Sequence, residues 1–203
     1  MNLTAVFFFI TITVFSQNFP CKHFKEESIE KINSFSKKMI DFEKPYYLSK
    51  KELFSIVSPE YITFSEAKNN LEVIIVKSNL FLNNRKIDLS FGPFQMKISF
   101  IKNLIKETPA NILNDSILEK LKKTKLDITS IDVDYLNKIE TQWNLLRAFE
   151  YNNKNIYKKY SIKGIYTLYN RGGVSKKATV FDKIICTNKS YEEWCKEILI
   201  WIS

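Results

Sequence analysis

The stretch DVDYLNKIETQWNLLRAF, residues 132–149, places Tyr135, Ile139, Trp143, Leu146 and Phe149 three or four positions apart. Apolar residues at that period share one face of a helix, so the stretch predicts a single long amphipathic helix. The same period recurs on both sides. Upstream, Ile29, Ile32, Phe35 and Met39 form a stripe on a helix that ends before Pro45. Leu53, Phe54, Ile56 and Val57 mark a second helix finishing around Glu60, because Pro59 disfavours helical geometry in Ser58. Residues 71–82 (LEVIIVKSNLFL) are β-branched enough for a strand, yet their length and helical neighbours favour a buried helix. Residues 94–105 carry Phe94, Ile98, Ile101 and Ile105 at helical spacing straight after Gly92-Pro93, which predicts a helix start there. A short helix over 115–123 capped by Asn114 or Asp115 follows, then a helical run over 162–169 broken at Gly172-Gly173, then a terminal helix through Trp194, Ile198 and Trp201. Trp143, Trp194 and Trp201 fall at apolar positions and belong to the expected core. The fold class is therefore mostly α, a compact helical domain.

Composition narrows the possibilities further. With 203 residues, 45% of them hydrophobic, and only 4 Gly and 5 Pro, the chain is neither disordered nor collagenous, and it is long enough for one sizeable core. Lys and Arg outnumber Asp and Glu by 31 to 22, a formal charge of +9, but the lysines are spread along the whole chain. That pattern reads as a solvated basic surface suited to an anionic environment. Zinc-finger spacing, a ribonucleoprotein signature and a basic helix with heptads are all lacking, so nucleic acid is not the expected partner. The single histidine, His23, lies in a charged stretch, and no Cys–His set has metal-ligand spacing, so neither a metal nor another cofactor is expected.

The N-terminus suggests a compartment. Residues 3–15 (LTAVFFFITITVF) are an apolar run too short to span a bilayer, and small Ser16 follows Val14-Phe15, which reads as a secretory signal over 1–16 cleaved after Ser16. Bulky Phe19-Pro20 before Cys21 does not fit a lipidated cysteine. Cys186 and Cys195 flank the capping-box pattern Ser190-Tyr191-Glu192-Glu193, and either pair in an oxidising compartment or pack as small apolar residues. The expected organisation is a signal peptide over 1–16, an N-terminal helical extension over 17–47 and the main domain over 48–203, a monomer that is secreted or periplasmic.

Three segments stand out together: Ser58-Pro59-Glu60, Ser90-Phe91-Gly92-Pro93-Phe94-Gln95-Met96, and Thr167-Leu168-Tyr169-Asn170-Arg171-Gly172-Gly173-Val174. In this order the set resembles the goose-type lysozymes and soluble lytic transglycosylases of the lysozyme-like superfamily. Those enzymes have a Glu at a helix end, a Gly-Leu-Met-Gln segment and later an Ala-Tyr-Asn-x-Gly segment. Tyr61 stands where the family usually has Ser, and Pro93-Phe94 where it has Leu-Met. The string Phe94-Gln95-Met96-Lys97 is also similar to an uncharacterised secreted branch from Bacteroidetes-type bacteria. The resemblance implies a lysozyme-like helical domain, the glycan strand of peptidoglycan as partner and substrate, and Glu60 as catalytic acid. It further implies Gly92, Phe94, Gln95 and Met96 lining a sugar cleft, with Tyr169 and Asn170 facing them.

Glycosidic cleavage needs a carboxylic acid that stays protonated near neutral pH, which partial burial of Glu60 beside Phe64, Phe91 or Phe94 would promote. A hydrolase adds a second carboxylate, for which Asp88 is the candidate water-activating base and Glu66 and Glu72 are rivals. A lytic transglycosylase, as the resemblance implies, needs none, because the sugar's own hydroxyl attacks. The competing expectation is a non-catalytic envelope module that binds glycan or protein through the same fold.

Overall fold

The computed structural model describes residues 24–81, 88–113, 115–124, 126–171 and 191–201. The expected signal over 1–16, Cys21, His23, Gly172-Gly173, Cys186 and Ser190 lie outside them, as do the side chains of Asn170, Trp194 and Trp201. Over the described residues the protein is mostly α: helices α1 (Phe24–Lys38), α2 (Lys50–Thr63), α3 (Glu66–Phe81), α4 (Ile98–Glu107), α5 (Ala110–Leu113), α6 (Ser116–Lys123), α7 (Ser130–Leu136), α8 (Ile139–Asn152), α9 (Lys154–Arg171) and α10 (Tyr191–Trp201). A two-stranded antiparallel hairpin, β1 (Ser90–Phe91) and β2 (Met96–Lys97), pairs Ser90 with Lys97 and Phe91 with Met96.

Local chemistry explains the helix ends. Ser49 and Glu52 form a reciprocal capping box at the start of α2, and Thr129 and Asp132 do the same for α7. Asp115 caps α6, accepting from the N–H groups of Ile117 and Leu118 at 3.0 Å each. Helix α2 runs past the expected stop near Glu60 to Thr63, with Pro59 inside it. Proline has no N–H for the Ser55 carbonyl, and the Ser58 hydroxyl takes its place, donating to that carbonyl at 2.8 Å. Residues 71–81 do form a helix, but α3 buries only one side: Asn69, Val73 and Val76 are inside, whereas Leu71, Ile74 and Phe81 are exposed.

Two expectations are corrected. The long helix over 132–149 is two helices, because Lys138 is extended (φ −70°, ψ 143°) and α8 restarts at Ile139. Gly92-Pro93 opens a hairpin turn, not a helix, and α4 begins only at Ile98. Gly92 (φ 79°) and Gln95 (φ 51°) are both left-handed, a geometry that a right-handed helix cannot contain.

At the centre of the core, the Phe35 ring stacks on Phe54 (centroids 4.1 Å apart) and meets Phe94 edge-on at 5.9 Å and Trp143 at 6.2 Å. The described part of the expected extension, residues 24–47, thus joins the core through α1. Helix α8 is buried on nearly every side from Thr141 to Glu150, the signature of a central helix. Its Glu150 carboxylate accepts from the N–H groups of Tyr46 (2.9 Å), Tyr47 (2.6 Å) and Leu48 (2.5 Å), which fixes the segment leading into α2. Three lysines close helix C-termini through tertiary contacts: Lys31 donates to Ile62 and Phe64 carbonyls, Lys50 to Met39 and Ile40, and Lys122 to Ile105, Lys106 and Thr108.

Truncating Phe35 to alanine tests whether α1 is core. Loss of a fully buried aromatic predicts a drop of about 3–5 kcal/mol in unfolding free energy by urea denaturation, against well under about 1 kcal/mol for an appended helix.

Candidate functional site

Glu60 sits in the last turn of α2, on the side facing α3 and the hairpin. With Thr63, Phe64, Ser65, Lys68 and Gln95 it lines a small pocket of about 20 Å³, room for one water. Among the described residues no side chain hydrogen-bonds its carboxylate. Burial pushes its pKa up to about 7; the Lys68 ammonium opposes this and the Glu72 carboxylate adds to it. The site therefore holds a carboxyl group that is half protonated near neutrality.

The opposite wall is the hairpin turn, and three helices hold it. Asn69 of α3 accepts from Gly92 N–H at 2.6 Å through Oδ1, and its Nδ2 donates to Asn137 Oδ1 at 3.1 Å. Gln142 of α8 accepts from Phe94 N–H at 2.8 Å and donates to the Phe91 carbonyl at 2.9 Å. Tyr169 of α9 donates its phenol proton to the Phe94 carbonyl at 2.7 Å. Glycine is required at position 92 by its backbone angle and by space, since a Cβ there would stand 1.9 Å from Gln142 Nε2.

The turn presents Gln95 to the pocket. Its Oε1 accepts from Ser90 Oγ at 3.3 Å, and its Nε2 reaches the Gly92 carbonyl (3.0 Å) and Glu72 Oε2 (3.3 Å). Glu72 also pairs with Lys68 one turn earlier on α3, at 3.5 Å. Glu60, Lys68, Glu72 and Gln95 thus form one polar cluster where α2, α3 and the hairpin meet.

The structure sorts the expected site residues into three groups. Glu60 and Gln95 share the pocket. Gly92, Phe94 and Tyr169 form the framework beneath it: Phe94 is fully buried, and the Tyr169 ring packs against Phe100 and Phe149 at 5.7 and 5.5 Å. Burial and the nearby Glu60 charge push the Tyr169 phenol well up, so it stays a proton donor, but to Phe94 and not to Glu60. Met96 lies in the core at 1% exposure. Asp88 is away from the pocket: its oxygens accept from Ser99 N–H (3.1 Å) and Ser99 Oγ (2.5 Å) at the start of α4. Of the rival carboxylates, Glu72 joins the cluster, while Glu66 is exposed in the first turn of α3.

Asn69, Gln142 and Lys68 were not singled out by sequence. Gln142 stands among other polar residues of α8, and Asn69 and Lys68 look like ordinary surface residues of α3, so the sequence marks none of the three. Among the described residues no three His, Cys, Asp or Glu side chains converge as metal ligands, and no helix is long and apolar enough to cross a membrane. Cys195 is buried, its Sγ 3.9 Å from the Ile56 carbonyl.

Two substitutions probe this geometry without reference to function. Gly92→Ala combines a left-handed alanine with displacement of the Gln142 amide and should cost about 3 kcal/mol of stability in denaturant titrations; a change within about 0.5 kcal/mol contradicts the clamp. Glu60 ionises near 4.5 unfolded but near 7 folded, so between these values the folded state holds the extra proton and stability falls as pH rises. Glu60→Gln, a permanent mimic of the protonated form, should therefore stabilise the protein by about 3 kcal/mol at pH 8 and by almost nothing at pH 4. Compared with protein-family models, with curated proteins and with solved structures, the chain matches none, and the site stands on its own geometry.

Proposed function

We propose that the protein cleaves the glycan strands of peptidoglycan on a lysozyme-like helical domain, acting outside the cytoplasm after removal of residues 1–16. One observation carries the proposal: the Glu60 carboxyl, poised to titrate at about 7, lines a pocket walled by a rigid turn that presents Gln95. A general acid works best when its pKa lies near the working pH.

In the single-carboxyl route, Glu60 gives its proton to the glycosidic oxygen as the C1–O bond of the MurNAc-GlcNAc β-1,4 linkage breaks. The sugar's C6 hydroxyl then bonds to C1, its proton returns to Glu60, and the product ends in a 1,6-anhydro ring. No second carboxylate is consumed in this sequence. Hydrolysis would need one to activate water. Asp88 is committed to Ser99, which leaves Glu72 as the carboxylate of the Glu60 cluster. Gln95, with an amide at the pocket wall, is suited to hydrogen-bond a sugar hydroxyl or acetamido group.

A second reading, a module that binds glycan without cleaving it, is favoured by the small volume beside Glu60 and by the commitment of Tyr169 to Phe94. Incubation with purified peptidoglycan followed by mass spectrometry separates the two. The wild type should release 1,6-anhydro products with activity halving as pH rises through about 7, because ionised Glu60 has no proton to give. Glu60→Gln should lose about 10²-fold or more of that activity. Reducing-end products would move the mechanism to hydrolysis with Glu72, and glycan binding without products would establish the binding module.

A further inference from the structure

Among the described residues, the Lys68 ammonium is the one feature of the pocket that works against a protonated Glu60. A cation close to a carboxyl favours its ionised form, and Lys68 acts on Glu60 in that sense. Other charges around the site do not cancel it. Helix α3 contributes Glu72, which favours the protonated form, and α9 contributes Tyr169, with Cys195 of α10 beside it. Helix α1 places Lys31 at the end of α2, but its ammonium is bound to the Ile62 and Phe64 carbonyls, and the hairpin supplies only the neutral Gln95.

Lys68 is also available to a ligand. Its side chain is 57% exposed, and its ion pair with Glu72 is a 3.5 Å contact one helical turn apart, of the kind that solvent screens strongly. An incoming anion can draw the ammonium away at little cost. The pocket thus combines a proton donor with a cation that is held weakly and is counterproductive for as long as it lacks a stronger partner.

We propose that Lys68 selects an acidic glycan: its ammonium takes a carboxylate carried by the sugar next to the scissile bond, and that ion pair removes the cation's pull on the Glu60 proton. The substrate then loads its own acid catalyst, and a neutral glycan of the same length does not. The proposal rests on Glu60 acting as the general acid. Lys68 is here a specificity-determining residue, not one that touches the reacting atoms.

The test compares the full chain, wild type, Lys68→Met and Lys68→Arg, on two defined substrates. One is a peptide-free strand of alternating GlcNAc and MurNAc with its lactyl carboxylates free; the other is an uncharged N-acetylglucosamine oligomer. For the wild type, the alkaline limb of kcat on the acidic strand should lie at higher pH than that of kcat/KM, since the former reports the complex and the latter the free enzyme. Lys68→Met should raise KM for the acidic strand about tenfold, remove the separation between the two limbs and leave KM for the neutral oligomer unchanged, whereas Lys68→Arg should restore wild-type behaviour. Equal effects of Lys68→Met on both substrates, or no effect on either, would overturn the inference while leaving Glu60 as the acid. Absence of cleavage of both strands by the wild type would overturn the catalytic reading, and this inference with it.

Discussion

The amide of Gln142 bridges the hairpin turn, its Oε1 accepting from the Phe94 N–H and its Nε2 donating to the Phe91 carbonyl. Strands two residues long have too few ladder bonds to persist alone, so the hairpin depends on donors and acceptors from elsewhere. Gln142 supplies two from the buried central helix, Asn69 supplies a third from α3, and Tyr169 a fourth from α9. Asn69 and Gln142 are themselves buried, where an unmade bond carries the full desolvation penalty, and with Tyr169 they fix the turn at one height relative to three helices. Gln95 reaches the Glu60 pocket because of that height, and Gly92 is the residue that allows the amide close enough to act.

Charge is organised by the same requirement to satisfy backbone groups. Lys31, Lys50 and Lys122 spend their ammonium groups on carbonyls at the ends of α2, the 3-10 turn Met39–Asp41 and α4. Part of the basic excess is therefore structural, tied into helix termini that would otherwise lack partners. Lys31 matters most for the site, since it closes the turn of α2 just beyond Glu60. At the other end of the same helix the Glu150 carboxylate gathers three N–H groups, so α2 is anchored by one charged side chain at each end.

How much of this could be read from the chain alone differs by level. Helix periodicity predicts α1, α2 and α10, with Ile32 and Phe35 of α1 turned inward, and the cap at Asp115 predicts α6. It failed at 132–149, where the apolar pattern runs through a break: Val133 and Leu136 of α7 and Trp143 of α8 are all buried, and periodicity cannot register an extended Lys138 between them. It failed again at Gly92-Pro93, where Phe94 and Ile98 have helical spacing but the intervening Gln95 is left-handed. In the site, Glu60 and Gln95 were legible through motif resemblance. Glu72 was legible only as one of several rival carboxylates, and Asn69 and Lys68 were not legible, because their meaning comes from the packing of α3 against a hairpin that is distant in sequence.

The two carboxylates that burial raises, Glu60 and Glu150, make the contrast that bears most on function. Glu150 is surrounded by three N–H donors and the Arg147 guanidinium, all of which favour its charged form and offset the penalty of burial. Its task is met by the structure it holds together. Glu60 has no such donors among the described residues, its one favourable charge is a weakly held lysine, and a second carboxylate stands close by. A glutamine or a leucine in that place would remove the penalty at no structural loss, so stability gives no reason for an acid there. Departures from local stability of this kind gather where a group must react or bind, and a carboxyl kept near its titration point beside a pocket supports the proton-donor role proposed for Glu60.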